Sequence, residues 1–493
     1  MKMKDQKRPN IVFILSDDQG AWAARYAGNK HIITPNLDQL ANSGMTFSNS
    51  FCASPVCSPA RATILTGKMP SQHGVQDWIR KGHYGEEAID YLRGQLTFPE
   101  LLSKVGYECA ISGKWHLGDV HAVKNRFPDH TYVHLKGAGH YYNAPMVKNG
   151  ELIEEPGYVT DCITDDAIGY LNDVAQRGAP FYLSVHYTAP HNPWIDGEHP
   201  EEIVKLYEDC SFDDIPQGFI REDAIYRYDE QDARECLKGY YAAITAMDQN
   251  IGRIIAELDK LGLRENTLVI FTSDNGFNCG HHGVWGKGNA TKSLNMFDTS
   301  IKVPLIINQP GFIKPSNAEA MVSQYDYFHM ILEYLGIANP YKNGLLPGKS
   351  FLPLLKGEKM QEHESLVVYD EYGPVRMIRT KEWKYVHRYE TGMHELYCLT
   401  EDPNEESNLF DLPEMEAKVT ELRSQLCNWF RHYTDEKFDG SVQTVRGNGQ
   451  INALNLLKEG EIAFDLNRQA TTDPKGDPSI KAGSIVIAPQ ADR

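Results

Sequence analysis

The stretch Cys57-Ser-Pro-Ala-Arg-Ala-Thr-Ile-Leu-Thr-Gly-Lys68 places a nucleophilic sulfur two residues before a proline and four before an arginine. Ser58 reads as a helix N-cap and Pro59 as the first helical residue, because the missing N–H of proline needs no partner there and its φ already suits a helix. Cys57 then stands at a helix N-terminus, where free N–H groups and the positive dipole end favour anions, and Arg61 adds a charge one turn on. That setting predicts a reactive thiol. The competing reading is a buried structural cysteine beside a cap. Cys52 lacks the Pro and Arg spacing and reads as structural.

Two further stretches offer hard oxygen donors. Asp17-Asp18 follows the apolar run Ile11–Leu15, and Asp274-Asn275-Gly276 follows Thr267–Ser273. Open α/β sheets hold ligands beyond the carboxyl ends of their strands, so three carboxylates and an amide carbonyl there make a set for Ca2+ or Mg2+ rather than a soft metal. An Asx turn or helix cap competes for Asp17-Asp18. Lys114 and His116 project to one side of an extended segment. Pro190 and Pro193 bracket His191 and restrict its loop, whereas Lys287, between Gly286 and Gly288, is expected in a flexible loop that lets its ammonium reach an anion. His186, nearer its strand, reads as structural. His281-His282 lacks the i, i+4 spacing of a helical chelate and reads as loop or pocket.

Taken together, Cys57-x-Pro-x-Arg with Thr66-Gly67, the early Asp-Asp, the late Asp-Asn-Gly, Gly113-Lys-Trp-His-Leu-Gly118 and Pro190-His-Asn-Pro193 resemble the formylglycine-dependent (type I) sulfatases of the alkaline-phosphatase superfamily. The resemblance implies that Cys57 is oxidised to formylglycine by a formylglycine-generating (sulfatase-maturating) enzyme, and that the hydrated aldehyde is the nucleophile. It also implies that Asp17, Asp18, Asp274 and Asn275 bind the cation, which Cys57 faces. Calcium is the choice on family grounds, with Mg2+ the alternative. Arg61 would hold the nucleophile, Lys114 and Lys287 the sulfate oxygens; His191 would protonate the leaving oxygen and His116 would take a proton from the second hydroxyl. Where many family members carry Glu-Gly-Gly after the lysine, this chain has Phe297-Asp298-Thr299-Ser300, which bears on loop packing. The rival activity is a phosphonate or phosphodiester hydrolase of the same superfamily. The rival outside catalysis is a glycan-binding protein, should Cys57 stay unmodified.

The elements that must carry these residues alternate. Buried-strand patterns at Ile11–Leu15, Tyr107–Ser112, Phe181–Val185, Thr267–Ser273 and Val303–Ile307 are interleaved with amphipathic helices at Leu96–Val105 and Lys238–Leu261. An α/β fold follows: a large mixed, mostly parallel sheet flanked by helices. Short strands from Glu358 and a helix near Met415–His432 predict a small C-terminal α+β subdomain. The expected division is a catalytic domain over 1–357, that subdomain over 358–435 and an extension over 436–493 of unknown role.

The 493-residue chain has ample length for such a core, and its net charge of −18 excludes general nucleic-acid binding, which needs surplus Lys and Arg. An anionic substrate must therefore meet a local basic pocket. The N-terminal apolar run of five residues is too short for a signal peptide or a membrane span, so a cytoplasmic protein without a membrane partner is expected unless a leader has been trimmed. Nine cysteines, scattered and odd in number, predict reduced thiols. Among the loops, Trp78, Arg80, Lys136, His140, Tyr141 and Trp194 form a candidate pocket. Exposed aromatics there would stack on sugar faces, and Arg80 or Lys136 would pair with a uronic acid or second sulfate. A sulfated saccharide is accordingly the expected substrate.

Overall fold

The computed structural model describes residues 8–465 apart from 217, 227, 343, 372–373, 390–391 and 443–446. Its spine is a ten-stranded sheet. From one edge the strands run Ser316–Ala318, Met45–Phe47, Leu305–Asn308, Thr267–Ser273, Asn10–Ser16, Phe181–His186, Glu108–Lys114, His130–His134, Ala144–Lys148 and Glu151–Glu155. The central five, from Thr267–Ser273 to His130–His134, are parallel. Leu305–Asn308 and the Ala144–Lys148 hairpin join antiparallel on either side. The mixed, mostly parallel sheet expected from the strand patterns is thus the observed one.

Continuous apolar runs form these strands because both faces are covered. Ile11, Phe13 and Leu15 enter one core, with Leu65, Phe98 and Phe328, while Val12 and Ile14 enter the other, with Ile163, Tyr240 and Ile251. All five strand residues are fully buried, each contributing about 1.5–3 kcal/mol. The helices Val159–Arg177 and Glu230–Lys260 belong to the second core. The latter starts earlier than its apolar stripe suggested, because Asp229 caps it by accepting from Asp232 N at 2.8 Å.

A four-stranded antiparallel sheet, Leu366–Asp370, Val375–Arg379, Trp383–Arg388 and Glu395–Cys398, packs with the helix Glu416–Tyr433 around a third core. Beyond it the chain returns to the main body, where Gln450 pairs with Ile79 and with Phe464. The remainder of the expected 436–493 extension, past 465, lies outside the described residues. Cys52, Cys57, Cys109, Cys162, Cys210, Cys279, Cys398 and Cys427 are free thiols, and among the described residues no helix is long and apolar enough to cross a membrane.

Candidate active site

Because the central strands are parallel, their carboxyl ends share one edge of the sheet. The register Ser16↔Ser273 sets Asp17 beside Asp274, and Asp274 N donates to Ser16 O at 3.1 Å. Lys114 ends the strand Glu108–Lys114, His116 follows it, and His191 lies on the loop after Phe181–His186. The helix Cys57–Thr66 points its N-terminus into this edge.

That helix begins two residues earlier than expected, at Cys57 rather than Pro59. Val56, extended at φ −151 and ψ 141, is the N-cap and offers no side-chain cap. The Ser58 hydroxyl is engaged elsewhere, donating to His116 O at 2.9 Å and accepting from Ile79 N at 3.1 Å. Cys57 Sγ lies 3.3 Å from Asp17 Oδ1, 3.9 Å from Asp18 Oδ1 and 2.9 Å from Lys287 Nζ. The expected activation of the thiol is not found. Burial first, and Asp17 next, push the Cys57 thiol well up. Arg61 turns away to the carboxylates, its Nε and Nη2 each 2.9 Å from Asp274 Oδ2, with Nη1 donating to Lys114 O at 3.1 Å.

Asp17, Asp18, Cys57 and Asp274 each present a ligand atom within 4.8 Å of the others, all buried. Three carboxylates at that spacing repel, and Lys114, on Asp17 Oδ2, and Lys287, 2.5 Å from Asp18 Oδ1, supply positive charge along with Arg61. Burial works to raise all three carboxyls. For Asp17 it wins, aided by Asp274; for Asp18, Lys287 and His191 outweigh it, and for Asp274, Arg61 and Lys114 do, holding both below the ordinary range. Asn275 donates through Nδ2 to Asp18 Oδ1 at 2.8 Å, while its Oδ1 is buried with no hydrogen-bond partner among the described residues. An orphaned amide oxygen beside clustered carboxylates, with ammonium groups standing among them, fits a hard divalent cation.

Lys287 is held more firmly than its flanking glycines suggested. It is 7 % exposed, and its carbonyl accepts from Asn295 Nδ2 at 3.0 Å. His191 Nδ1 lies 2.8 Å from Asn192 O, which can only accept, so Nδ1 carries the hydrogen and Nε2 turns to Asp18 Oδ2 at 3.7 Å. His116 sits in the left-handed region at φ 52, kept neutral by burial first and Lys114 second. His186 bonds to Lys114 O and Ser184 Oγ, while His281 packs on Trp22 and His282 on Phe297.

The six proposed pocket residues fare unequally. Tyr141 is buried, stacked on Tyr158, with its hydroxyl donating to His191 O at 2.7 Å. Trp194 is buried against Tyr240 and Phe277, its indole N–H satisfied by Pro190 O at 2.7 Å. Neither can stack on a sugar, which corrects the sequence expectation; Tyr141 instead steadies the His191 backbone. Trp78 is half-buried in an apolar cluster with Val56 and Phe464. Arg80 is paired with Asp465 at 2.6 Å and His140 with Glu198 at 2.5 Å, and Lys136 is exposed. Residue Gln324 had no local signal, since its partners are distant in sequence. It donates to Ser273 O at 3.0 Å and Asp274 O at 2.7 Å and accepts from Ala53 N at 3.0 Å, tying the carboxylate loop to the segment before Cys57.

A family model described as sulfatase matches residues 9–337, and one described as N-sulphoglucosamine sulphohydrolase, C-terminal, matches 280–432. Among curated relatives, an N-acetylglucosamine-6-O-sulfatase of Bacteroides thetaiotaomicron is 28% identical, covering 88% of this chain and 88% of its own. An ulvan-active sulfatase of Formosa agariphila is 31% identical over 87% of this chain and 82% of its own. A solved structure of a protein in complex with its substrate D-glucosamine-2-N,6-O-disulfate superposes with a TM-score of 0.73 at 26% identity, covering 89% of this chain and 100% of that one.

Proposed function

The chain belongs to the sulfatase family, and from that premise we propose that it hydrolyses a sulfate ester of a carbohydrate, with formylglycine made from Cys57 by a maturating enzyme as nucleophile. The observation that carries this reading is the convergence of Cys57 on three buried carboxylates and two ammonium groups at one sheet edge. Asp17, Asp18, Asp274 and Asn275 would hold the cation, calcium by family preference. When bound, it neutralises charge on sulfate oxygens and lowers the pKa of a hydroxyl at residue 57.

The chain's own groups supply the rest. A sulfate ester is an anion, so its approach needs fixed positive charge in a water-poor site, and Lys114 and Lys287 are buried ammonium groups that can turn from Asp17 and Asp18 to sulfate oxygens. Arg61 locks Asp274 against the Cys57 helix. The Nε2 of His191, 3.7 Å from Asp18 Oδ2, is the atom that would give a proton to the leaving alcohol, and the neutral His116 would accept one as sulfate departs. A sugar is favoured by the names of the relatives and by Lys136 and His140 on the exposed loop that passes the His116 ring at Gly137.

Steady-state rates on 6-O-sulfated glucosamines, nitrophenyl sulfate and matched phosphate esters test the reading, together with peptide mass spectrometry across residues 51–68. The expected outcome is an aldehyde at residue 57 and the highest kcat/KM on a sulfated sugar. Preference for phosphate esters, or full activity in Cys57→Ala, would sink it.

A further inference from the structure

The imidazole of His116 is held by a circuit that runs through a residue next to Cys57 and through the C-terminal extension. His116 Nε2 lies 3.1 Å from Ile79 O. A carbonyl only accepts, so Nε2 carries the hydrogen and Nδ1 keeps its lone pair. Nδ1 is buried with no hydrogen-bond partner among the described residues. The Ile79 peptide therefore selects the tautomer. Its own N–H donates to Ser58 Oγ at 3.1 Å, and Ser58 Oγ donates to His116 O at 2.9 Å, closing a loop of three bonds. On the ring's other side a Cβ at Gly137 would run into the imidazole, so that wall is backbone.

The Ile79 peptide is in turn gripped from behind. Gln450 N donates to Trp78 O at 2.8 Å, and Arg80 N donates to Gln450 O at 3.0 Å, a parallel bridge spanning Ile79. The Gln450 side chain is fully buried, with Oε1 accepting from Gln76 N at 2.9 Å and Nε2 donating to Gly74 O at 2.9 Å. Gly449 N donates to Asp77 Oδ2 at 3.0 Å. So many bonds from one glutamine to residues 74–80 fix the height of the Ile79 carbonyl against the imidazole.

We propose that Ser58 and Gln450 are positioning residues for His116, holding it as the Nε2–H tautomer with Nδ1 free as the base. This assigns a role in the reaction to the extension around Gln450. It rests on the sulfatase reading, in which His116 accepts the proton whose loss at residue 57 lets sulfate leave. Attack on the ester precedes that step, so a misplaced His116 slows kcat and spares kcat/KM.

The test uses Gln450→Ala and Ser58→Ala in the full chain, with Ser58→Thr as the conservative rescue. On nitrophenyl sulfate the alanine variants should lose about 10- to 100-fold in kcat, hold kcat/KM near wild type and release a burst of nitrophenol equal to the enzyme. Ser58→Thr should recover most of the loss. A second measurement needs no aldehyde: histidine-ring 15N–1H spectra of the unconverted Cys57→Ala protein, with His116 assigned by its absence in a further His116→Asn change. The Nε2–H form should dominate there and give way to mixed tautomers when Gln450→Ala is added. Unchanged tautomers, or kcat and kcat/KM falling together, overturn the proposal, and Ser58→Ala decides it alone if Gln450→Ala fails to fold. Wild-type protein inert on every sulfate ester would instead overturn the sulfatase reading, leaving the tautomer measurement to judge this one.

Discussion

Replacing Lys384 with Met should unfasten the C-terminal sheet from the active-site edge, and should do so more at alkaline than at acid pH. Lys384 is fully buried; its Nζ lies 2.6 Å from Asp298 Oδ1 and 2.9 Å from Met296 O, and pairs with Glu405 Oε1. Asp298 heads the short helix Asp298–Ile301, whose Ser300 O accepts from Gly276 N at 3.0 Å, so the cluster braces the Asp274-Asn275-Gly276 turn. Removing one partner of a buried charge cluster costs about 3–5 kcal/mol. Here the cost has a pH signature. Burial opposes the Asp298 carboxylate, but Lys384 and then Arg379 hold it well below the usual range, and Arg379 remains in the variant. Glu405 is pushed up by burial to about 7 even with Lys384 beside it. A raised folded pKa gives stability that is full below the unfolded value and is lost as pH rises through the folded one. Below pH 7 Glu405 is largely protonated with or without Lys384, and the deficit is mainly the lost Asp298 pairing. Above it wild type ionises Glu405 against Lys384 while the variant cannot, and the gap widens by about 1.4 kcal/mol per unit. For a chain of 493 residues unfolding as one unit, about 1 kcal/mol moves Tm by about 1 °C. Calorimetry at pH 6 and pH 8.5 should therefore show a Tm deficit about 2 °C larger at the higher pH, and adding Glu405→Gln should remove that increment. A gap that is constant or narrows with pH refutes the reasoning.

Chelator should lower the Tm and added calcium restore it, by about 2.7 kcal/mol at a hundredfold excess over Kd, and Asp274→Asn should abolish the response; melts unmoved by calcium and magnesium alike would contradict the cation site. Acid should destabilise the fold through histidines that have no room for a second proton. His73 Nδ1 accepts from Val75 N and its Nε2 faces Thr63 Oγ1, while His199 Nε2 donates to Pro193 O and its Nδ1 faces Tyr158 OH. Burial, chiefly, drives both down to about 3, so their stability is full above the unfolded value near 6.5 and drains as pH falls, at about 1.4 kcal/mol per unit for each. Denaturant midpoints from pH 7 to pH 5 should drop accordingly, less steeply in His199→Gln; a flat profile would be the wrong outcome.

The carboxylate site was legible because strand and ligand are local signals: an apolar run predicts where a strand ends, and Asp17 and Asp274 stand one residue past that point. Parallel pairing then brings the two together without further information. Burial in loops was not legible. Trp194 and Tyr141 look like exposed aromatics in polar surroundings, yet one indole bond to Pro190 and one hydroxyl bond to His191 suffice to let each sink into the core. Ser58 has the residue type and spacing of a cap, but a carbonyl and an amide from elsewhere in the chain claim its hydroxyl. Gln324 and Gln450 act on partners that are remote in sequence, and no local pattern announces such a residue.

The bond between Gln76 and Gln450 spans 374 positions, and that span sets a timetable for biosynthesis. At about 5–20 residues per second, roughly 20 to 80 seconds pass between translation of Cys57 and of Gln450. Throughout that interval the nascent chain lacks the residue that grips Trp78 and Arg80, and for much of it lacks Asp274 and Lys287 as well. The cysteine that ends 3 % exposed thus has a long period on the ribosome before its enclosure is complete, and slowing translation between these two codons lengthens the time in which another enzyme can reach it.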